Sequence, residues 1–159
     1  MKPKISIIVP TLNEESYIKN CIESILDSTY EQDKMEILII DGMSSDKTRE
    51  IVKSYTQKYN FIKLVDNTKK IVPVAMNIGI KQALGEYIIR LDAHASYPKE
   101  YFSKLIKWHK ELDADNVGAI IKTRAKNNTP KANAIAKVLS CKFGVGNSDF
   151  RVGVDKPKE

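Results

Sequence analysis

Two side chains within residues 90–97 have the chemistry of metal ligands. Asp92 and His94 lie two positions apart and directly follow the apolar run 87–89, which predicts a buried strand. Both are therefore expected in the loop at the carboxyl end of that strand, where open α/β sheets bind ligands. A carboxylate and an imidazole can converge there on one divalent ion such as manganese. The alternative interpretation is that Asp92 is an ordinary loop aspartate and that His94 is a partly buried, hydrogen-bonded residue.

A second polar group, Pro10-Thr11-Leu12-Asn13-Glu14, directly follows the β-branched apolar run 5–9. A turn at this point would aim its side chains into the crevice at the carboxyl edge of the sheet. The alternative is local: Asn13 caps the following helix, and Glu14 interacts with the positive end of that helix. On local grounds alone, the sequence favours the capping interpretation.

Asp41 is the third candidate, because it ends the apolar run 35–40. A carboxylate there is costly unless it is paired or faces a ligand, and it could accept the imide N–H of uracil. Asp46 is better explained as the cap of the next helix. Lys69 and Lys70 could meet phosphate oxygens, although a solvated lysine pair is the favoured interpretation.

Strand and helix patterns alternate along the chain, which predicts right-handed crossovers and a mostly parallel sheet. A single domain is expected over residues 1–159. The predicted strands are 5–9, 35–40, 61–65, the run entering the Asp92 loop, and 117–121. The predicted helices are 14–26, 46–59, 73–83, 98–112 and 130–139. Residues 144–148 are predicted to form a loop.

Composition limits the partners of the chain. The formal charge is +6 and the isoelectric point about 9.2, which suits an anionic ligand such as a nucleotide, an anionic membrane surface or a nucleic acid. Scattered lysines favour a merely solvated surface, and no aromatic-plus-basic platform for nucleic acid is recognisable. Two cysteines without metal-ligand spacing and the lack of a signal-peptide pattern predict a cytoplasmic protein, with the inner membrane face as a second location.

Taken together, these segments resemble the family 2 inverting glycosyltransferases of the GT-A fold. The resemblance is carried by residues 6–15 (SIIVPTLNEE), 40–46 (IDGMSSD), 76–80 (MNIGI) and 85–94 (GEYIIRLDAH). Residues 98–153 are similar to a bacterial branch that makes exopolysaccharide of the succinoglycan type. The family implies a Rossmann-like, three-layer α/β/α fold with a mostly parallel sheet.

The resemblance also implies an activity and a site. The family transfers a sugar, with inversion, from a nucleotide donor that is usually UDP-linked to a glycan or lipid-linked acceptor. The block at residues 10–14 and Asp41 would hold the uridine. Asp92 would lie near the ribose and the metal, and His94 would replace the second carboxylate of the Asp-X-Asp motif as a ligand of Mn²⁺ or Mg²⁺. Met76 stands where many relatives carry an arginine, a loss for which Lys69 or Lys70 would compensate.

No carboxylate of the chain matches the general base of the family, because Asp149 and Asp155 come too early. We therefore expect the donor-binding part of a longer transferase, truncated before the acceptor half and inactive by itself. Uncovered apolar surface around Ile120, Val138 and Leu139 would then favour a homodimer. A non-catalytic module that binds a nucleotide or a nucleotide sugar is the alternative function.

Overall fold

The computed structural model describes residues 4–125, 127–146 and 148–153. The chain divides into two compact units, residues 1–103 and 104–159. The first unit contains one parallel sheet with the strand order β3-β2-β1-β4 among the described residues. Its strands are β1 (Ile5–Thr11), β2 (Met35–Asp41), β3 (Ile62–Asp66) and β4 (Tyr87–Arg90). The parallel α/β architecture predicted from the sequence is confirmed.

Both central strands are buried on both faces, as parallel strands between two helical layers should be. Every residue of β2 is buried, and so is β1 except for Pro10. Their β-branched and leucine side chains alternate between the two faces, so each strand contributes to two apolar layers. Three helices connect the strands: α1 (Ile18–Leu26), α2 (Thr48–Thr56) and α3 (Val72–Gln82).

Helix α3 packs against β1 and β2. Ala75 forms a cluster there with Ile8, Leu38 and Ile40. The helix comes close at Gly79, where a Cβ atom would lie 2.6 Å from the Ile8 side chain. Helices α1 and α2 contact each other. The buried positions of α1 are Ile18, Cys21, Ile22 and Ile25, and α2 buries Val52.

Several predicted boundaries shift, each for a local reason. Helix α1 begins at Ile18 rather than at residue 14, because Glu14 and the residues before it hydrogen-bond to a neighbouring loop. Helix α4 runs from Tyr101 to Leu112 rather than from residue 98. Beyond it lie α5 (Pro130–Val138) and two single turns, α6 (Lys142–Val145) and α7 (Asp149–Val152). Gly144 and Val145 are thus helical, where the sequence predicted a loop.

The predicted fifth strand at residues 117–121 is wrong. A strand needs a partner to satisfy its backbone groups, and this run has none among the described residues. There, the Ile121 N–H donates to the Phe150 carbonyl, and this is the single backbone hydrogen bond of the segment. Ile120 is 44% exposed and Val138 is 51% exposed, whereas Leu139 is half-buried. Self-association through this surface stays a prediction.

A buried carboxylate closes the amino edge of the sheet. Glu36, only 3% exposed, accepts hydrogen bonds from the Ser6 hydroxyl at 2.6 Å, the Leu84 N–H at 2.6 Å and the Lys63 ammonium at 3.1 Å. The Ser6 hydroxyl in turn accepts from the Gly85 N–H. Burial raises the pKa of Glu36, but the hydrogen bonds from Ser6, Leu84 and Lys63 outweigh this effect, so the pKa lies below its ordinary value.

Replacing Glu36 with alanine should destabilise the fold by about 2–3 kcal/mol at neutral pH, because it leaves buried donors without an acceptor. The lowered pKa means that the carboxylate stabilises the fold above about pH 4.5. That contribution should disappear as the pH falls through the folded-state pKa. Urea unfolding at several pH values measures both effects.

The matched control is Glu31→Ala, which removes a carboxylate of an exposed pair with Lys34. Its effect should stay below about 0.5 kcal/mol. An equal loss in both variants, or a Glu36→Ala effect that grows on acidification, would contradict the assignment.

Candidate functional site

The candidate site is the carboxyl edge of the sheet in the first unit. The four strands are parallel, so the loops that follow them emerge on the same side. Thr11, the last residue of β1, pairs in register with Asp41, and β4 pairs with β1 up to Arg90. The prediction that Asp41 and Asp92 share one edge is therefore confirmed.

The loops after β1 and β2 are joined by reciprocal hydrogen bonds. The Asn13 N–H donates to the Ser44 hydroxyl at 2.8 Å, and the Asn13 side-chain oxygen accepts from the Ser45 N–H at 2.9 Å. The Glu14 N–H donates to the Thr48 hydroxyl at 2.8 Å. Asn13 therefore joins two loops rather than capping α1, and the capping interpretation is wrong for this residue.

Asp46 has the capping role that the sequence predicted. Its carboxylate accepts from the Thr48 N–H at the start of α2, at 3.0 Å, and from the Glu15 N–H at 3.1 Å. Glu15 reciprocates by accepting from the Lys47 N–H at 3.0 Å. Burial raises the pKa of Asp46, but the hydrogen bonds from Thr48 and the backbone outweigh it and lower the pKa.

Asp41 is fully buried and already paired within the protein. One carboxylate oxygen accepts from the Ser44 hydroxyl at 2.5 Å, and the other accepts from the Ser44 N–H at 3.0 Å and from Arg49 at 2.6 Å. Arg49 also donates to Asp66 at 2.8 Å, and the two carboxylates raise its pKa. Asp41 thus organises the β2 loop. Its contact with a base stays a prediction.

Lys70 lies at the same edge, beside the loop after β2. A Cβ atom on Gly42 would lie 3.4 Å from the Cα of Lys70 and 3.2 Å from the Leu12 side chain, so a larger residue would crowd both. Asn67 fixes this loop, because its N–H donates to the Asp41 carbonyl and its side chain donates to the Ile71 carbonyl. The Lys70 side chain is exposed beside the edge.

Backbone strain concentrates in these loops. Among the described residues, four non-glycine residues have a positive φ, and three of them lie here: Asn13 at 54°, Met43 at 59° and Lys70 at 60°. Such conformations cost on the order of 1–3 kcal/mol and cluster at ligand clamps and active sites. The strain therefore marks this edge as functional without identifying a ligand.

Tyr97 holds the backbone of Asp92. Its hydroxyl accepts from the Asp92 N–H at 2.8 Å and donates to the Asp92 carbonyl at 3.1 Å. The same carbonyl accepts from the Ala95 N–H, which closes a turn over residues 92–95. Burial raises the pKa of Tyr97 well above its usual range. The Asp92 carboxylate itself is half exposed and accepts from Arg90 at 3.0 Å.

His94 pairs with Glu14 across the sheet edge. Its Nδ1 lies 3.0 Å from a Glu14 carboxylate oxygen, and the imidazole side chain is 62% exposed. Glu14 follows β1 and His94 follows β4, so the pair spans the point where the strand order reverses. This is the ligand-binding crevice of open α/β sheets. The alternative of a partly buried His94 is not what the structure shows.

Two side chains of the loop after β4 have the chemistry to bind a divalent ion together with the oxygens of a diphosphate. Within the described residues, no group of three or more His, Cys, Asp and Glu side chains is placed to hold a metal ion. Asp92 and the Nε2 atom of His94 could supply two ligands. Metals at phosphate-transfer sites are commonly bound by one or two protein side chains plus phosphate oxygens, and imidazole also suits manganese.

Three predicted residues have roles below the surface. Thr11 is buried and donates to the Val9 carbonyl, and Pro10 before it is half-buried. Met76 packs against the α3 cluster. Asp155 lies outside the described residues.

The sequence interpretation missed Arg49 and Tyr97, whose spacing from Asp41 and Asp92 carries no local signal. Ser44 could have been found, since Asp and Ser commonly hydrogen-bond nearby backbone in turns.

Comparison with known proteins identifies the family. The sequence matches Glycosyl transferase family 2 over residues 6–151. It is 37% identical over 153 residues to a dolichyl N-acetyl-alpha-D-glucosaminyl phosphate 3-beta-D-2,3-diacetamido-2,3-dideoxy-beta-D-glucuronosyltransferase of Methanococcus voltae, covering 92% of this chain and 47% of the relative. It is 34% identical to the succinoglycan biosynthesis protein ExoA of Rhizobium meliloti (strain 1021), covering 92% of this chain and 44% of ExoA.

Two solved structures have a similar fold. S. aureus TarS 1-349 in complex with UDP-GlcNAc superposes with a TM-score of 0.69 at 27% identity, covering 80% of this chain and 37% of TarS 1-349. The mannosyltransferase PcManGT from Pyrobaculum calidifontis, in complex with GDP-Man and Mn2+, has a TM-score of 0.65 at 26% identity, covering 87% and 40%.

The chain spans less than half the length of each of these four proteins. None of the described helices is long and apolar enough to cross a membrane. The GT-A-like fold and the family match over most of the sequence lead to one conclusion: this chain belongs to glycosyl transferase family 2.

Proposed function

We propose that this chain binds the nucleotide-sugar donor of an inverting, metal-dependent glycosyltransferase. The donor is a UDP-sugar, and the acceptor of the whole enzyme is a glycan or a lipid-linked sugar. The observation that carries the proposal is the joined set of loops at the carboxyl edge, where the Glu14–His94 contact spans the strand-order reversal. The TarS and PcManGT complexes support a nucleotide-sugar ligand in this fold.

The loops have distinct roles in this proposal. The strained loops around Leu12, Met43 and Lys70 form the nucleotide side of the crevice, and their exposed apolar side chains suit the face of a base. The Lys70 ammonium provides positive charge for the diphosphate. Asp41 keeps this region in shape through Ser44 and Arg49.

The other side of the crevice holds the metal that neutralises the diphosphate. Asp92 and His94 would bind Mn²⁺ or Mg²⁺ there, and a bound ion would stabilise the negative charge of the leaving diphosphate. Tyr97 fixes the Asp92 peptide, so the carboxylate projects from a rigid turn. Arg90 offsets the charge of Asp92 until a ligand arrives.

A non-catalytic nucleotide-sugar-binding module is the second candidate. It is favoured by the state of three of the carboxylates at the edge: Glu14 pairs with His94, Asp41 is buried against Arg49, and Asp92 pairs with Arg90. Each of these carboxylates is already engaged by another side chain, whereas inverting transfer requires a base that deprotonates the acceptor hydroxyl.

UDP should bind about tenfold more tightly in Mn²⁺ than in EDTA, because the diphosphate and the protein share the ion. His94→Ala should reduce the affinity in Mn²⁺ to the EDTA value. Titration calorimetry with UDP, and with GDP in parallel, measures this and tests the choice of base.

His109→Ala, which alters the other histidine of the chain, is the control and should behave like the native protein. Equal UDP affinity in EDTA and in Mn²⁺ would refute the metal assignment. Tighter binding of GDP than of UDP would contradict the uridine assignment and indicate a guanosine donor.

Asp41→Ala should weaken UDP binding about tenfold both with and without metal, because it releases the loop held by Ser44 and Arg49 and removes the predicted base contact. Asp66→Ala removes the other, exposed acceptor of Arg49 and should change the affinity less than twofold. Calorimetry on both variants, with circular dichroism to verify folding, decides the point. An Asp41→Ala effect confined to Mn²⁺ would contradict it.

The chain alone should transfer no sugar at a useful rate. A general base typically contributes about 10²–10⁴-fold, and the edge carboxylates are already engaged. Donor consumption is to be followed with a UDP-sugar and a simple sugar acceptor, against a blank without protein. Repeated turnovers would show that a base has been overlooked, with Asp149 as the first to replace, and would exclude the non-catalytic module.

A further inference from the structure

We infer that Glu14 is a positioning residue for His94: it holds the imidazole in the tautomer whose Nε2 lone pair faces the ligand. This inference rests on the proposed function for its purpose, since Nε2 is the atom offered to a metal. The contact itself is a property of the free protein. It joins the first and last loops of the edge, which lie 80 positions apart in the sequence.

The Glu14 side of the contact is rigidly anchored. The Glu14 N–H donates to the Thr48 hydroxyl at 2.8 Å. The Glu14 carbonyl accepts from the N–H groups of Tyr17 and Ile18, both at 2.9 Å. Its side chain is 21% exposed, against 62% for His94. Glu14 is the more buried partner, and its backbone is held by hydrogen bonds. It therefore determines where the exposed imidazole ring of His94 points.

The chemistry of the pair selects the tautomer. An ionised carboxylate only accepts hydrogen bonds, so the imidazole Nδ1 facing Glu14 must carry a proton. In the neutral ring the lone pair then resides on Nε2. No other described group hydrogen-bonds to the ring, so Nε2 remains available at the surface of the crevice.

A carboxylate in this position would also strengthen the ligand. In metal sites, a carboxylate that accepts from the outer nitrogen of a histidine fixes the orientation of the ring and raises the basicity of the ligating nitrogen. Loss of such a partner typically costs about 10–100-fold in metal affinity. Glu14 can act this way because its own backbone is fixed from the β2 side by Thr48.

The tautomer can be measured without metal or nucleotide. Long-range ¹H–¹⁵N NMR on the histidine-labelled chain at about pH 8, where an ordinary imidazole is neutral, distinguishes a proton on Nδ1 from one on Nε2. The native protein should show His94 protonated on Nδ1. Glu14→Ala should shift the proton to Nε2, and Glu14→Gln, which keeps an acceptor oxygen, should fall between them.

His109 is the internal reference and should not change between variants. The same tautomer of His94 in the native protein and in Glu14→Ala would overturn the inference. So would a larger shift in the glutamine variant than in the alanine variant. Because no ligand is present, this result does not depend on whether the chain binds UDP.

The consequence for binding is tested by calorimetry with Mn²⁺ and UDP. Glu14→Ala should remove the increase in UDP affinity that Mn²⁺ provides, measured as the ratio of the affinity in Mn²⁺ to the affinity in EDTA. The control is Glu15→Ala, since Glu15 bonds the Lys47 N–H instead of His94, and it should keep the Mn²⁺ effect. An equal loss in Mn²⁺ and EDTA, or the same loss in Glu15→Ala, would mean that Glu14 supports the loop rather than the ligand.

Discussion

The buried carboxylate of Asp41 is the constraint on which the site depends. A charge with no exposed surface must be compensated by donors, and the chain supplies them from two directions. Ser44 folds the β2 loop back over the carboxylate, and Arg49 reaches it from α2. The Ser44 hydroxyl, fixed in this way, accepts a hydrogen bond from the Asn13 N–H, which holds the loop after β1 against the loop after β2. The Asp41 carboxylate thus holds together both loops on the side of the crevice that we propose binds the nucleotide.

The side of the crevice that we propose binds the metal is held together differently. The Asp92 peptide is held by a phenol and by a turn, and the His94 ring is held by a carboxylate from another strand. The two sides meet at Glu14, whose backbone belongs to the first and whose side chain belongs to the second. Tyr97 therefore fixes the Asp92 peptide, and Glu14 fixes the His94 ring, in the free protein.

Local sequence patterns predicted the sheet well because its two central strands are buried on both faces and are rich in β-branched residues. They failed at residues 117–121, where strand propensity is present but no strand partner lies among the described residues, since propensity depends on context. The shared edge of Asp41 and Asp92 follows from parallel topology, which the alternation of elements reveals. The contacts of Arg49, Tyr97 and Glu14 could not be predicted, because they join positions whose relation only the folded chain creates.

The two edges of the sheet have different roles. At the amino edge, Glu36 secures the start of the sheet through Ser6 and Leu84. At the carboxyl edge, exposed loops carry strained backbone and the candidate ligands. Leu12 and Met43, the side chains that we propose face the base, therefore lie at the opposite end of the strands from the Glu36 network. This separation allows the sequences of the loops at the carboxyl edge to diverge while the network that stabilises the sheet stays intact.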